Sequence, residues 1–518
     1  MDTPSALSVV PPLLALGLAV GTRNVLVSLS AGVFVGIAIH ADFNPFAGLL
    51  DMVDKGLFAQ LADLPHAKVI IIIAVIGGFV NLLDRSGGLA AFARRITRVV
   101  DSPAKAQLSV WLMGISIFFT DSGNSLILGP MFRPIFDGLR LCREKLAFII
   151  DSTSSPVCVL VPFISWGVYV MSLMGESFTK LGLEEQPLGT FLKMLPFQLY
   201  PILAIATVPL LAFTGREWGP MARAQRRAEN EPAPQLDSAD EQRAGDEEAG
   251  DPASDAESGH EPRQASGRAI VLPMATMLLV LAAMFTQFLV RLGELPAAAI
   301  QVSLVLAYLA GAVVCALILS REKVFSFSES LQTFIAGMGK MALIVVILLL
   351  AWSLGDVCEL LGTGKYVATL FDGLLQPGLL PATIFVLGAV VSLSTGSAWG
   401  TFALLMPIGI PMAHQLDAPL LVTIAAVLSG GMFGDHCSPV SDTTVLSSMS
   451  SGCAHADHVS TQLGYAAVTG STALIGFLIA GFTGWWFTVL LVLVLQLGIS
   501  LAVARIFGVP IGSASPAP

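Results

Sequence analysis

The sequence predicts an all-α polytopic membrane protein built as two inverted-topology repeats, each with a re-entrant hairpin and a broken transmembrane helix, about 11 spans plus two hairpins in all. Three observations carry that expectation. Hydrophobic residues fill 54% of 518 positions and charged residues only 12%, more apolar surface than one water-soluble core can hide. Apolar runs of about 17 to 25 residues, long enough for a hydrocarbon layer, recur along nearly the whole length. Polar and helix-breaking residues interrupt those runs at four places, in the same order in each half.

The first run, 7–20, has no basic n-region and no small-residue cleavage pattern, so it is expected to be the first span and not a removed signal peptide. Basic residues mark the cytoplasmic side. They cluster at Arg85, Arg94, Arg95, Arg98 and Lys105, and again at Arg133, Arg140, Arg143 and Lys145. Only the stretch 107–131 separates the two clusters, and Thr120, Asp121, Ser122, Gly123 and Asn124 interrupt it. A re-entrant hairpin with that polar turn near mid-membrane keeps both clusters on one side, whereas a single crossing would not. From Lys145 the chain is expected to cross outward by Met174 and return between Phe191 and Phe213, leaving Arg216, Arg223, Arg226 and Arg227 inside.

The formal net charge is -10, and most of the excess lies in 215–268, which is rich in Glu, Asp, Ala, Pro and Ser. Such a composition cannot bury enough apolar surface to fold, so a disordered acidic cytoplasmic linker is expected between membrane repeats at 1–214 and 269–518. After it, spans are expected near 270–290, 300–320 and 334–354, with Arg321 and Lys323 inside. Two short apolar stretches follow, 380–393 and 398–412, joined by Ser394, Thr395, Gly396 and Ser397. This second hairpin is expected to enter from the opposite side. A helix broken at an Asp-to-Pro stretch follows each hairpin, at Asp151 to Pro156 and at Asp435 to Pro439. The repeated order in opposite orientation is the architecture of a secondary transporter, with its site where hairpin tips meet unwound helices.

The chemistry of the four breaks fits a cation. Carboxylates, hydroxyls and freed backbone carbonyls replace the oxygens of water, and a desolvated carboxylate lets a proton compete for the same place. Asp435 and Asp151 are the leading candidates and are expected to be pseudo-symmetric partners. Asp121, Asn124, Thr395 and Ser397 would add ligands from the hairpin tips, with Ser152, Thr153, Ser438 and Thr443 beside them. Asp442 is expected on much the same helical face as Asp435, as a second carboxylate or a support. Capping of the following helix is the competing reading of an Asp in a broken helix, and of Ser438 or Thr443. His436 is read as a donor that orients Asp435, with a proton carrier as the alternative. Lys340 is expected to snorkel to the cytoplasmic end of its span. Cys453, His455, Asp457 and His458 are read as a polar cytoplasmic loop in preference to a metal site. The six cysteines lack paired spacing and are expected to be free thiols. No zinc-protease, nucleophile-elbow or phosphate-loop motif appears, so an enzyme or ATP-driven pump is not expected.

The stretch from Gly434 through Asp435, His436, Cys437, Ser438, Pro439, Val440, Ser441, Asp442, Thr443 and Thr444 to Ser448 resembles the NhaC-type sodium/proton antiporter family. The likeness continues through His455, His458 and Thr461 to Leu463. In the first half, Asn124 to Pro130, Arg133 and Pro134, Arg143 to Ala147 and Asp151 to Thr153 resemble the same family. The resemblance implies the wider ion-transporter superfamily fold and sodium-for-proton exchange. Relatives carry two adjacent acids followed by Tyr-Ala-Asn at the first tip, where this chain has Thr120 in place of the first acid and Ser122 and Gly123 in place of Tyr and Ala. One titratable group is thereby removed. The expected function is a sodium/proton antiporter using alternating access, with Na+ at Asp435 and Asp151 and Na+ and H+ as transported ions. The alternative is a Na+- or H+-coupled carrier of a small organic acid or amino acid. No cofactor is expected. The expected partners are the lipid bilayer and small cations or a small organic solute, without nucleic acid and with a homodimer left open. The expected location is the inner cell membrane, multi-pass, with the linker and C-terminus cytoplasmic.

Overall fold

A computed structural model describes residues 5–88, 100–230, 265–292, 296–363, 366, 369 and 376–511. Arg94, Arg95, Arg98 and most of the expected linker lie outside them. Among the described residues the chain is almost wholly helical, with one short antiparallel strand pair. Eight helices are long and apolar enough to cross a membrane, or up to ten if the two bent pairs, Val25–His40 with Pro45–Ala62 and Pro187–Phe197 with Leu199–Thr214, each count as one span. The expected first span is shorter than that standard, an apolar helix at Ala6–Thr22. Side chains at helix ends accept the N–H groups that a helix leaves unpaired. Asn24 receives Val27 N at 3.1 Å, Asp63 receives His66 N at 3.0 Å, and Ser326 and Glu329 form a reciprocal capping box. Phe213, Leu279, Val290, Val494 and Ile506 stand exposed on these helices, as a surface meeting hydrocarbon requires.

Both hairpins and both broken helices are present. The first hairpin pairs Pro103–Ser116 with Asp121–Gly138, and the second pairs Leu380–Thr395 with Ala398–Gln415. The first break divides Arg143–Ser152 from the single turn Ser155–Cys158, and the crossing resumes at Ser165–Leu181. The second divides Leu420–Cys437 from Asp442–Ser451. Each break begins two or three residues after its aspartate, where the next residues bond their own turn in place of continuing the ladder.

Small residues let these segments approach closely. A Cβ on Gly430 would lie 2.4 Å from Phe385 O, and one on Gly434 2.5 Å from Ala389 O, so the first arm of the second hairpin lies directly on the second broken helix. Across the halves, a Cβ on Gly129 would lie 2.4 Å from the Ser450 carbonyl carbon, and Arg133 Nη2 donates to Ser450 O at 2.8 Å. Arg143 binds Asp137 through two nitrogens at 3.0 and 2.9 Å and reaches Gly452 O at 3.1 Å. The two halves therefore interlock at the broken helices.

The expected linker boundary at 215 needs correction. Arg216–Glu217 pairs antiparallel with Val509–Pro510, and Gly219–Asn230 is a helix; at the far end, Arg268–Leu292 already forms a helix. The polar composition concealed specific partners. Gln225 Oε1 accepts from Cys142 N at 3.1 Å, Arg227 bridges Glu144 and Asp457, and Trp218 packs edge-on against Tyr465 at 4.6 Å. Glu217 forms a fully buried ion pair with Lys145 at 2.9 Å and also accepts from Tyr465 Oη. The strand pair fixes the end of the first half and the end of the described chain on the same side of the helix bundle.

A buried charge without its partner is far costlier than the intact pair. Lys145→Met is expected to destabilise the protein by about 3–5 kcal/mol, and the double variant Lys145→Met/Glu217→Leu to recover most of that loss. Thermal unfolding of the purified variants measures both.

Candidate ion-binding site

At the first junction, the hairpin tip supplies what the broken helix lacks. Thr120 caps the second arm by accepting Gly123 N at 3.0 Å, which places Asp121 to Asn124 in its first turn. Asn124, fully buried, donates to Thr153 O in the break at 2.8 Å and to Gly114 O in the opposite arm at 3.2 Å. In return Ser154 Oγ donates to Asp121 O at 3.3 Å. The Asp121 carboxylate accepts from Ser122 N at 2.7 Å and from Trp166 Nε1 at 3.1 Å. Thr153 turns back to its own helix, 2.8 Å from Ile149 O.

The second junction follows the same logic with different groups. Gly396 has φ +65°, and a Cβ there would lie 2.6 Å from Val440 O, so the tip is pressed against the break. Ser438 Oγ donates to Leu393 O at 2.8 Å. Thr395 bonds its own helix at Val391 O, 2.9 Å, and Ser397 caps the second arm through Gly400 N at 3.2 Å. These two hydroxyls, expected as ligands, serve their own helix ends instead. Asp435 is 4% exposed and accepts from Ser441 Oγ at 3.2 Å, and Ser441 contacts Thr443 Oγ1 at 3.1 Å. Asp442 opens the next helix, is exposed, and accepts from Thr443 N at 2.8 Å. It belongs to a separate helix and not to the continuation of Asp435's face.

Between the junctions lies Asp151, 1% exposed. Its Oδ2 accepts from Gln462 Nε2 at 2.7 Å and Thr444 Oγ1 at 3.3 Å, and two imidazoles face it, His458 Nε2 at 3.5 Å and His436 Nε2 at 4.0 Å. The expectation that His436 orients Asp435 is corrected. Its Nε2 meets Ser152 Oγ at 3.3 Å and its Nδ1 meets Tyr200 Oη at 2.7 Å, so the ring turns away from its neighbour in sequence and toward the first half. A side chain near a helix end points where the local helix phase sends it, and adjacent residues are about 100° apart. The polar-loop reading of His458 is also corrected, since His455–Thr483 is a helix and His458 is fully buried.

Four contributors were not singled out from sequence: Tyr200, Gln462, Trp166 and Asp84. His458, Gln462, Tyr465 and Thr469 recur at helical spacing in an apolar helix and are all buried, so this polar stripe was a legible signal. Asp84, in the last turn of Leu64–Arg85, has an Oδ1 without a hydrogen bond that lies 2.7 Å from where a Cβ on Gly123 would sit. Its position next to Arg85 disguised it as an ordinary polar helix end.

The helical bundle, with buried carboxylates at Asp151 and Asp435 beside its two helix breaks, is that of a multi-pass membrane protein, and its likeness to known antiporters places it in the secondary antiporter class. A model of the Na+/H+ antiporter family matches residues 157–482, and the chain belongs to that family. It is 32% identical over 495 residues to an uncharacterized protein of Haemophilus influenzae, covering 92% of this chain and 91% of that one. An uncharacterized Na(+)/H(+) antiporter of the same organism is 38% identical over 85 residues, 16% of this chain and 18% of that one. The fold is similar to the crystal structure of the Alcanivorax borkumensis YdaH transporter, with TM-score 0.56 and 15% identity, over 84% of this chain and 89% of that one.

The close approach at Gly396 gives a direct test of the second junction. Gly396→Ala is expected to cost about 1–2 kcal/mol from the left-handed backbone alone and to disable transport by prying the tip from Val440. Thermal unfolding and flux through reconstituted protein measure the two effects separately.

Proposed function

We propose that the chain exchanges sodium ions for protons across the inner cell membrane by alternating access, the two halves acting as inverted repeats. The observation that supports this most is Asp435, a buried carboxylate beside the second helix break with a hydroxyl donor at Ser441. A carboxylate as buried as that of Asp435 is costly to keep charged without a countercharge. Protons and sodium ions are the two species that can supply it, which is the competition that antiport requires. Asp435 with the hydroxyls of Ser441 and Thr443 offers oxygen ligands to sodium. Asp151 lies beside that site, held by Gln462 and Thr444 and faced by two imidazoles. Asp121 lies at the first tip, and Asp84 returns a carboxylate to the place where Thr120 stands.

The junctions support alternating access. Each tip and break is joined by a few hydrogen bonds, so a rigid-body shift of one half against the other can open one junction while keeping the other closed. The side shared by Arg216–Glu217 and Val509–Pro510 is proposed to be cytoplasmic, because Arg133, Arg140, Arg143 and Arg227 lie on it. Residues 231–264 are proposed to tether the two repeats.

In proteoliposomes holding an internal pH dye, a sodium jump is expected to change the internal pH. Asp435→Asn and Asp151→Asn, shown to be folded and inserted, are expected to slow exchange on the order of 100-fold, since loss of a buried charged ligand costs about 3 kcal/mol or more. Exchange at normal rates in either variant would sink the assignment, with lithium and potassium as ion controls. Deleting residues 231–264 is expected to leave the sodium-driven pH change intact, and its loss in a folded variant would give those residues a working part in transport.

A further inference from the structure

A second set of charges, partly shielded at Lys180 and Glu176 and half exposed at Asp356, stands apart from the ion-binding cluster. The helix Ser165–Leu181 leaves the first junction at Trp166, and Lys180 lies fourteen residues farther on, about 21 Å along the axis and away from the strand pair. There Lys180 Nζ meets Glu176 Oε1 at 3.0 Å and Asp356 Oδ1 at 2.6 Å, and donates to Trp352 O at 3.4 Å. Glu176 Oε2 meets His66 Nε2 at 2.8 Å, Gln60 donates to Asp356, and the His66 ring stacks on Trp352 at 3.8 Å. Four segments from both halves thus contribute to one charged network at the far end of this helix. Sodium-for-proton exchange at Asp435 makes no use of it.

This network forms one wall of a cavity of about 380 Å³ lined by Glu176, Lys180, Trp352, Glu359, Met412 and Gln415. That volume is in the range of sites for small organic ligands and far larger than a bare ion needs. Two wall residues carry buried polar atoms without hydrogen-bond partners, the Trp352 Nε1 donor and the Gln415 Oε1 acceptor. The wall presents charges of both signs, Lys180 on the one hand and Glu176 and Glu359 on the other, so a ligand with separated negative and positive ends can meet each. Leu173, Pro407 and Met412 complete the lining with apolar surface.

We propose that this cavity binds a zwitterionic solute of amino-acid size with an apolar side chain. The ligand's carboxylate lies toward Lys180 and Trp352, its ammonium toward Glu176, Glu359 and Gln415, and its side chain against Leu173, Pro407 and Met412. Gly355 gives the ammonium of Lys180 its room, because a Cβ at that position would lie 2.7 Å from Nζ. The site is independent of the sodium-exchange reading and stands or falls separately from it.

Calorimetric titration of the full chain in lipid nanodiscs tests the proposal with three matched probes: L-leucine, 3-methylbutylamine and 4-methylpentanoate. Leucine is expected to bind, with each one-charge probe weaker by roughly tenfold or more. Glu176→Gln and Gly355→Ala are expected to weaken leucine to a similar degree, and Gly355→Ala removes no charge, so it carries the test if Glu176→Gln fails to fold. Asp435→Asn is expected to bind leucine as the unaltered chain does. No leucine binding at millimolar concentration, equal binding of all three probes, unchanged affinity in folded Gly355→Ala, or loss of binding in folded Asp435→Asn would each overturn the assignment.

Discussion

The rule on which everything else in this protein depends is that backbone polar groups at membrane depth find their partners inside the protein. A helix broken in hydrocarbon exposes carbonyls and N–H groups, each costing several kcal/mol if left unpaired. Here the hairpin tips and the breaks provide partners for each other. Asn124 answers Thr153 O, Ser154 answers Asp121 O, and Ser438 answers Leu393 O. The break and the tip therefore cannot be understood separately. Each is tolerable only in the presence of the other, and the glycines that bring them together at Gly396, Gly430 and Gly434 are as necessary as the polar groups.

Charge is distributed by the same economy. At one end of the bundle Lys145 answers Glu217, Arg143 answers Asp137, and Arg227 answers Glu144 and Asp457. At the other, Lys180 answers Glu176 and Asp356. Between them Asp121, Asp151, Asp435 and Asp442 share no lysine or arginine among the ion pairs of the described residues, and Asp151 has only the imidazoles of His436 and His458 nearby. The ends are balanced by ion pairs of fixed side chains, whereas these four aspartates form none with lysine or arginine among the described residues. A cluster with that imbalance is suited to exchangeable cations in a way that neither end is.

Much of the architecture was legible in the sequence because hydrocarbon imposes coarse rules. The hairpins predicted at 107–131 and at 380–393 with 398–412 appear as Pro103–Ser116 with Asp121–Gly138 and Leu380–Thr395 with Ala398–Gln415. Both helix breaks fall where Asp and Pro announced them. The site was legible only in part. Asp121, Asn124, Asp151 and Asp435 sit at the junctions, whereas Thr395 and Ser397 serve their own helices. Composition also misled at 216–230, where polar side chains read as solvated are spent on Cys142, Glu144, Lys145 and Asp457.

The sequence by itself determined that the chain lives in a bilayer, where its helices pause, and which carboxylates lie at those pauses. Apolar length, helix-breaking residues and charge placement are local properties, and a membrane punishes their violation strongly enough to make them readable. Tertiary structure alone decided partnership. That His436 turns from Asp435 to Tyr200 and Ser152, that Gln462 and His458 reach Asp151 from more than 300 positions away, and that Asp84 arrives beside the first tip all depend on helix phase and helix packing. Those are set by the close approach of many small residues at once, and no single stretch of sequence contains that information.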